Sequence, residues 1–458
     1  MDRIAVIWTR LNGQPLKMGT LVVTDTESRF SYEPGYRETG LRGLGLVYNP
    51  ENLQKTITRA RDHYFDLLPP LQSLVPPRSE NNFQRALLVR YLESIHVRPK
   101  TGFDTDWEIL IRAGHGAIGH LDLFASDEAA SQWYSTPSRR GLMELDGKFG
   151  FSLKEFMTWF DDEAKNLIEI LGPTPSVGGA IPKLPLSIPR TGWNGYIGLP
   201  TRSGDTDRTD ILLKLEKTSA YPGIIELEIL GLEAHRKAGF DVPRYWPVEV
   251  NGLRGLAIER FDRNTTSTPI FMESLYSILA SGNRRITNHY SATYDFILRA
   301  LGNPHVKLVN DIRGAQQHLV ERLIMAMLTG NGDLHLENLS LLERNGKIAF
   351  SPVYDPTPMR AYQIHNMITP PGMSWGDYGN LPDDYKKEMP IDFHTAWIRF
   401  FKQANIRRNE YTKIIQRLLD ATRDYEASIG KLKTLPDENK NRLIEVHRSM
   451  REEFGKFE

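Results

Sequence analysis

A change of period near Arg263 limits the folds open to this chain more than anything else in it. Before that point, short runs at residues 4–8, 20–23, 30–32 and 210–215 alternate apolar with polar side chains or string β-branched ones together, as half-buried strands do. Two more runs, 246–250 and 255–261, flank Asn251-Gly252, a hairpin-turn dipeptide. After it, apolar residues return at i, i+3 and i+4 over 294–301, 315–328, 394–403, 411–425 and 439–454. Two periods in one chain predict an α+β protein: a bilobal layout with a mixed α/β N-terminal lobe and an all-helical C-terminal lobe. Helical spacing also predicts helices over 53–68, 83–95 and 223–237. Ser152 with Glu155 makes a capping-box signature for another, and the proline and glycine between residues 172 and 200 read as loops and a seam. The expected divisions are 1–150, 151–263 and 264–458.

The sharpest chemical signal follows the apolar run 323–328: Gly330-Asn331-Gly332-Asp333-Leu334-His335-Leu336-Glu337-Asn338. Phosphoryl transfer needs a carboxylate to orient the attacking hydroxyl and an oxygen ligand for Mg²⁺, and kinase catalytic loops supply both at this Asp-to-Asn spacing. A second metal carboxylate should follow a short hairpin, and Ile348-Ala349-Phe350 leads through Val353-Tyr354 to Asp355. Isolated Asp and Asn residues usually do no more than cap turns, so the assignment rests on the whole set. His335 reads as an orienting group between them. Lys214 projects from an apolar strand as a phosphate-binding lysine would, with Glu226 or Glu228 on the next helix to hold it. Gly178 and Gly179, within Ser176-Val177-Gly178-Gly179-Ala180-Ile181-Pro182-Lys183, let backbone N–H groups approach phosphate without Cβ obstruction. Residues 257–263 close the second hairpin where an interlobe hinge would lie, and a solvated charge cluster is the plainer reading of the same stretch.

Composition excludes more than it identifies. Lysine plus arginine equals aspartate plus glutamate at 57 each, so no global field draws the chain to nucleic acid or to an anionic membrane. The chain has no cysteine, which removes disulfides, thiolate catalysis and Cys-ligated zinc. The first residues do not resemble an export signal, and no apolar run approaches the length that crosses a bilayer. The expectation is a cytoplasmic protein with no membrane partner.

In order along the chain, Phe65-Asp66-Leu67-Leu68-Pro69, Gly116-Ala117-Ile118-Gly119, Ser176-Val177-Gly178-Gly179-Ala180, Lys214, Glu259-Arg260-Phe261-Asp262-Arg263, Asp333-Leu334-His335-Leu336-Glu337-Asn338 and Tyr354-Asp355 resemble the HipA family of bacterial serine/threonine kinases, the toxins of HipA–HipB modules. The resemblance implies a bilobal protein-kinase-like fold, ATP and Mg²⁺ as cofactors, Asp333 as the catalytic aspartate, and Asn338 and Asp355 as metal ligands. It implies ATP contacts from Val177, Gly178, Gly179, Ala180, Lys214 and His335, an adenine-binding hinge at Glu259 and Phe261, and Glu228 as the ion-pair partner of Lys214. It further implies inactivating autophosphorylation at Ser176, a protein substrate such as an aminoacyl-tRNA synthetase, and a HipB-like helix-turn-helix antitoxin through which alone the chain would meet DNA. Two alternatives stay open: a small-molecule phosphotransferase with the same Asp-to-Asn loop, and an inactive module that binds the antitoxin and DNA complex.

Overall fold

The computed structural model describes residues 2–51, 56–78, 82–98, 100–116, 118–136, 142–144, 183–201, 206–216, 221–250, 253–365 and 392–457. The expected helix opened by Ser152 and the segment 176–182 lie outside the described residues. The chain divides into two compact units, the first made of 1–217, 244–273 and 280–282 and the second of 218–243, 274–279 and 283–458.

In the first unit, β1 (Arg3–Thr9), β2 (Leu16–Val23), β3 (Glu27–Tyr32), β4 (Thr56–Ala60) and β5 (Asp122–Phe124) form an antiparallel sheet ordered β4-β3-β2-β1-β5. β4 replaces the helix expected over 53–68. Its Thr-Ile-Thr core is β-branched, and Ile57 and Arg59 turn inward while their neighbours face solvent, an alternation of two that a helix cannot satisfy. Helices α1 (Phe83–Ser94), α2 (Phe103–Ala113) and α3 (Asp127–Ser135) accompany it. α2 works on two faces: Trp107 and Leu110 pack on the first sheet with Leu21 and Leu123, whereas Ile109 and Ala113 pack with Leu87 and Tyr91 against the second sheet.

That second sheet runs β8-β9-β7-β6, from β6 (Lys183–Pro189), β7 (Arg208–Leu215), β8 (Tyr245–Val250) and β9 (Leu253–Glu259). β6 corrects the expectation of loops through 172–200. Its prolines, Pro185 and Pro189, are tolerated because β6 is an edge strand: they flank Ser187 on the side away from β7, where Ser187 N donates to Gly198 O at 2.8 Å outside the sheet.

The second unit is helical apart from one hairpin, β10 (Ser340–Arg344) with β11 (Lys347–Phe350), so the expected all-helical lobe carries a small antiparallel element. Its helices are α4 (Ile224–Lys237), α5 (Tyr294–Leu301), α6 (Ile312–Thr329), α7 (Phe393–Gln403), α8 (Arg408–Ala421) and α9 (Asp437–Gly455). The helix expected over 411–425 ends at Ala421, and a separate short helix begins at Tyr425. α6 is the axis, with Leu319, Val320, Leu323, Ile324, Met325, Met327 and Leu328 all buried. Full burial of one such side chain contributes about 1.5–3 kcal/mol. Its last carbonyls would otherwise lack partners, and tertiary donors meet them: His447 Nδ1 donates to Leu328 O at 2.7 Å and Tyr425 Oη to Thr329 O at 2.9 Å. The end of α6 is thereby fixed, and the loop that follows starts from a rigid point. Among the described residues no helix is long and apolar enough to cross a membrane.

Candidate active site

The loop after α6 builds itself. Gly330 caps the helix at φ +76, and a Cβ there would meet Leu443 Cδ1 at 2.6 Å, so both backbone and space require glycine. Asn331, buried, accepts the Asp333 N–H on its side-chain oxygen at 2.9 Å, an Asx turn that aims the next residues. The Asp333 carbonyl accepts from His335 N at 2.9 Å and from Asn338 Nδ2 at 2.8 Å, and Asn338 N donates to His335 O at 3.0 Å. The five-residue interval read from the sequence is therefore a closed turn whose two ends are tied by the asparagine itself.

The Asp333 carboxylate stands at the edge of this turn with its side chain 33% exposed, open to an acceptor. Tyr290 Oη donates to Oδ1 at 3.1 Å, and His335 Nε2 lies 3.8 Å from Oδ2. Burial pushes the Tyr290 phenol up, with the Asp333 charge adding to it, so it stays protonated as a donor. The neighbouring His289, whose ring is 4.6 Å from that of His335, is pushed down to about 4 by burial and is neutral at physiological pH. From behind, Tyr294 Oη donates to Leu334 O at 2.6 Å and Tyr354 Oη to Glu337 O, which pins both limbs of the loop.

Asp355 follows the hairpin at φ +52, a left-handed conformation that costs a non-glycine residue about 1–3 kcal/mol and is held by its surroundings. Those surroundings are specific: Val353 N donates to Asp241 O at 2.8 Å, and Pro356 O lies 2.2 Å from where a Cβ on Gly231 would sit, so α4 approaches this turn only because residue 231 is glycine. Because Asn338 Nδ2 is engaged with Asp333 O, its Oδ1 is the atom left to face a cation. An amide oxygen and a carboxylate are hard donors that suit Mg²⁺, which takes few protein ligands and completes its shell with water and phosphate. Among the described residues no group of three or more His, Cys, Asp and Glu side chains gathers around a point that could hold a metal by itself.

In the first unit, Lys214 on β7 is buried, and its direct cross-strand partner is Lys183 on β6, also buried. Two ammonium groups on one face of a ladder repel, and an anion beside them offsets that repulsion. Glu259 ends β9 with its N–H given to Arg244 O at 2.9 Å and its carboxylate clasped by Arg244 at 2.7 and 2.8 Å. It braces the strand end, and Phe261, half-buried, follows it. Glu228 on α4 in the second unit is fully buried. Ser176, Val177, Gly178, Gly179 and Ala180 lie outside the described residues. Tyr290 and Lys183 were not singled out as site residues from sequence: the tyrosine stands 43 positions from Asp333. Only the doubled lysines across a predicted strand pair could have flagged Lys183.

Residues 175–425 match the HipA-like C-terminal domain family. A Sinorhizobium fredii protein provisionally named a kinase, Y4dM, is 29% identical over 371 residues, which covers 78% of this chain and 77% of that protein. A Haemophilus influenzae protein, also provisionally named a kinase, is 29% identical over 157 residues; that match takes in 31% of this chain and 43% of the relative's length. Among solved structures, Shewanella oneidensis HipA, determined with HipB and its operator DNA, is similar at a TM-score of 0.59 and 15% identity, over 98% of this chain and 97% of that one. At that identity the likeness is one of fold.

Proposed function

The match takes in more than half of the 458 residues, so the chain belongs to the HipA-like C-terminal domain family, and on this premise we propose that it is an ATP- and Mg²⁺-dependent serine/threonine protein kinase. The observation that carries the reading is the closed turn from Asp333 to Asn338, in which one asparagine ties the loop to Asp333 O at 2.8 Å through Nδ2. In this reading Asp333 accepts the hydrogen bond of the acceptor hydroxyl and orients its lone pair toward the γ-phosphate. Asn338 and Asp355 hold Mg²⁺, which when bound supplies charge neutralisation at the phosphates. Lys214 and Lys183 bind phosphate oxygens, with Val177, Gly178, Gly179 and Ala180 as the backbone cradle and His335 beside them. Glu228 pairs with Lys214, and Glu259 and Phe261 mark the adenine hinge.

The finer proposals follow from the same family membership. Ser176 is the autophosphorylation site, and about −1.5 to −2 added charges there would repel ATP phosphates. The substrate is a protein of the translation apparatus, an aminoacyl-tRNA synthetase being the first to try. A HipB-like antitoxin is the partner through which the chain reaches DNA, in the cytoplasm. Incubating the protein with labelled ATP, Mg²⁺ and a bacterial extract, then mapping label by peptide mass, tests the substrate class. Label on serine or threonine of the chain or of an extract protein supports the reading. Label only in small molecules overturns it in favour of a small-molecule phosphotransferase.

A further inference from the structure

Gly116, Arg260 and Arg263, which have no role in the reading above, meet in the first unit around a narrow cavity of about 20 Å³. Among the described residues Arg10, Arg260, Arg263, His115, Trp133 and Thr201 line it, and no carboxylate does. The nearby aspartates are instead held by other partners. Asp122 accepts from Gly116 N at 2.7 Å, Tyr134 Oη at 2.8 Å and Arg10 Nε at 3.2 Å. Asp262 accepts from Gly119 N and from both Arg260 and Arg263, each at 2.8 Å. Asp210 accepts from Thr201 N at 2.7 Å and Thr201 Oγ1 at 2.9 Å.

Arg10 is the telling residue. Its side chain is 3% exposed, its Nε alone reaches Asp122, and its two Nη groups make no hydrogen bond to the described residues. The guanidinium stacks over Trp133 at 5.1 Å and Tyr134 at 5.7 Å, which fixes its plane and leaves its end directed at the cavity. Five N–H donors on a buried cation are costly to leave unmet. The electrostatics agree: Arg263 is pushed down to about 10 by burial and by the crowding of Arg260 and Arg10.

We propose that this cavity is a binding site for one monatomic anion, chloride under physiological conditions, gripped by Arg10, Arg260 and Arg263. A cavity of about 20 Å³ admits a single water-sized species and not a phosphate or carboxylate. The ion ties the end of β1 and the loop before β5 to the strand end that carries Glu259 and Phe261. It is a structural anion, independent of whether the chain transfers phosphate.

The test uses the full chain. Crystals grown in sodium bromide are read for bromine anomalous signal, and thermal unfolding is compared in chloride, bromide and gluconate at equal ionic strength. The expected results are one anomalous peak in the cavity and a saturable halide-specific rise in Tm, about 2–4 °C near ten times the dissociation constant. The rise disappears in Arg10→Gln. An empty or water-filled cavity in bromide overturns the proposal, and so does a peak without halide-specific stabilisation, which marks an adventitious ion only. Should Arg10→Gln fail to fold, the two wild-type measurements decide the matter alone.

Discussion

Two buried polar clusters behave in opposite ways. The turn from Asp333 to Asn338 closes on itself through hydrogen bonds between residues at most five apart, is pinned from outside by Tyr290, Tyr294 and Tyr354, and carries one carboxylate a third exposed at its edge. The clamp around Asp262 joins Arg10, Gly116, Gly119, Thr201, Asp210 and Arg260, residues up to 250 positions apart, and every carboxylate in it is saturated. The first spends local geometry to leave a charged group open. The second uses long-range charge to hold two parts of one unit together. Polar burial therefore does not by itself mark a catalytic site; a part-exposed carboxylate on a locally closed turn is the better candidate.

This contrast predicts that substitutions of the site carboxylates and of Tyr290 separate activity from stability, and that substitutions in the clamp, or at the glycine that shapes the loop, do not. Asp355→Gly should give the largest effect. It removes the carboxylate proposed to hold Mg²⁺ and should lower phosphate transfer by about 10³-fold, since a bound metal supplies several kcal/mol of charge stabilisation. It also relieves the φ +52 strain, so denaturant midpoints should rise rather than fall. A fall in both would place Asp355 with the clamp. Asp262→Ala should cost about 3–5 kcal/mol in chemical unfolding, because two buried guanidiniums lose their shared partner. The sign with pH follows from its carboxyl, held down to about 2: the stability it contributes is complete above the unfolded carboxylate range near pH 4 and is lost as pH falls toward 2. Asp262→Asn should flatten that part of the acid-unfolding curve. Gly330→Ala should destabilise by about 1–3 kcal/mol through its positive φ and the contact with Leu443, and transfer should fall with the misplaced loop. Smallest is Tyr290→Phe, which removes one hydrogen bond to Asp333 and should slow transfer by about 10-fold with a Tm close to wild type.

Much of this was legible in the sequence, and the division between the two clusters explains which parts. Asp333, Asn338 and the turn between them could be read because the turn closes between residues five apart and phosphoryl transfer imposes a known spacing, whereas the tyrosines that pin it, at 290, 294 and 354, could not. Strands β1, β7, β8 and β9 could be read for the same local reason, alternation plus a turn dipeptide. β4 could not, because residues 53–68 also place apolar groups at helical intervals, and pairing with β3 decided the outcome. β6 was hidden by its prolines, whose tolerance depends on an edge position that only the assembled sheet defines. Arg260 and Asp262 were noticed as a charged motif, but their partners at 116 and 119 are a property of the fold.

The central claim is that Asp333 is the carboxylate on which phosphate transfer turns. Single-turnover transfer of labelled γ-phosphate by wild type and Asp333→Asn, with Mg²⁺-ATP binding measured on both, tests it most directly. The account predicts near-equal ATP binding and transfer lowered by at least about 10²-fold, the loss of a positioned acid–base group. Transfer undiminished in Asp333→Asn, with ATP bound as tightly as by wild type, would contradict it.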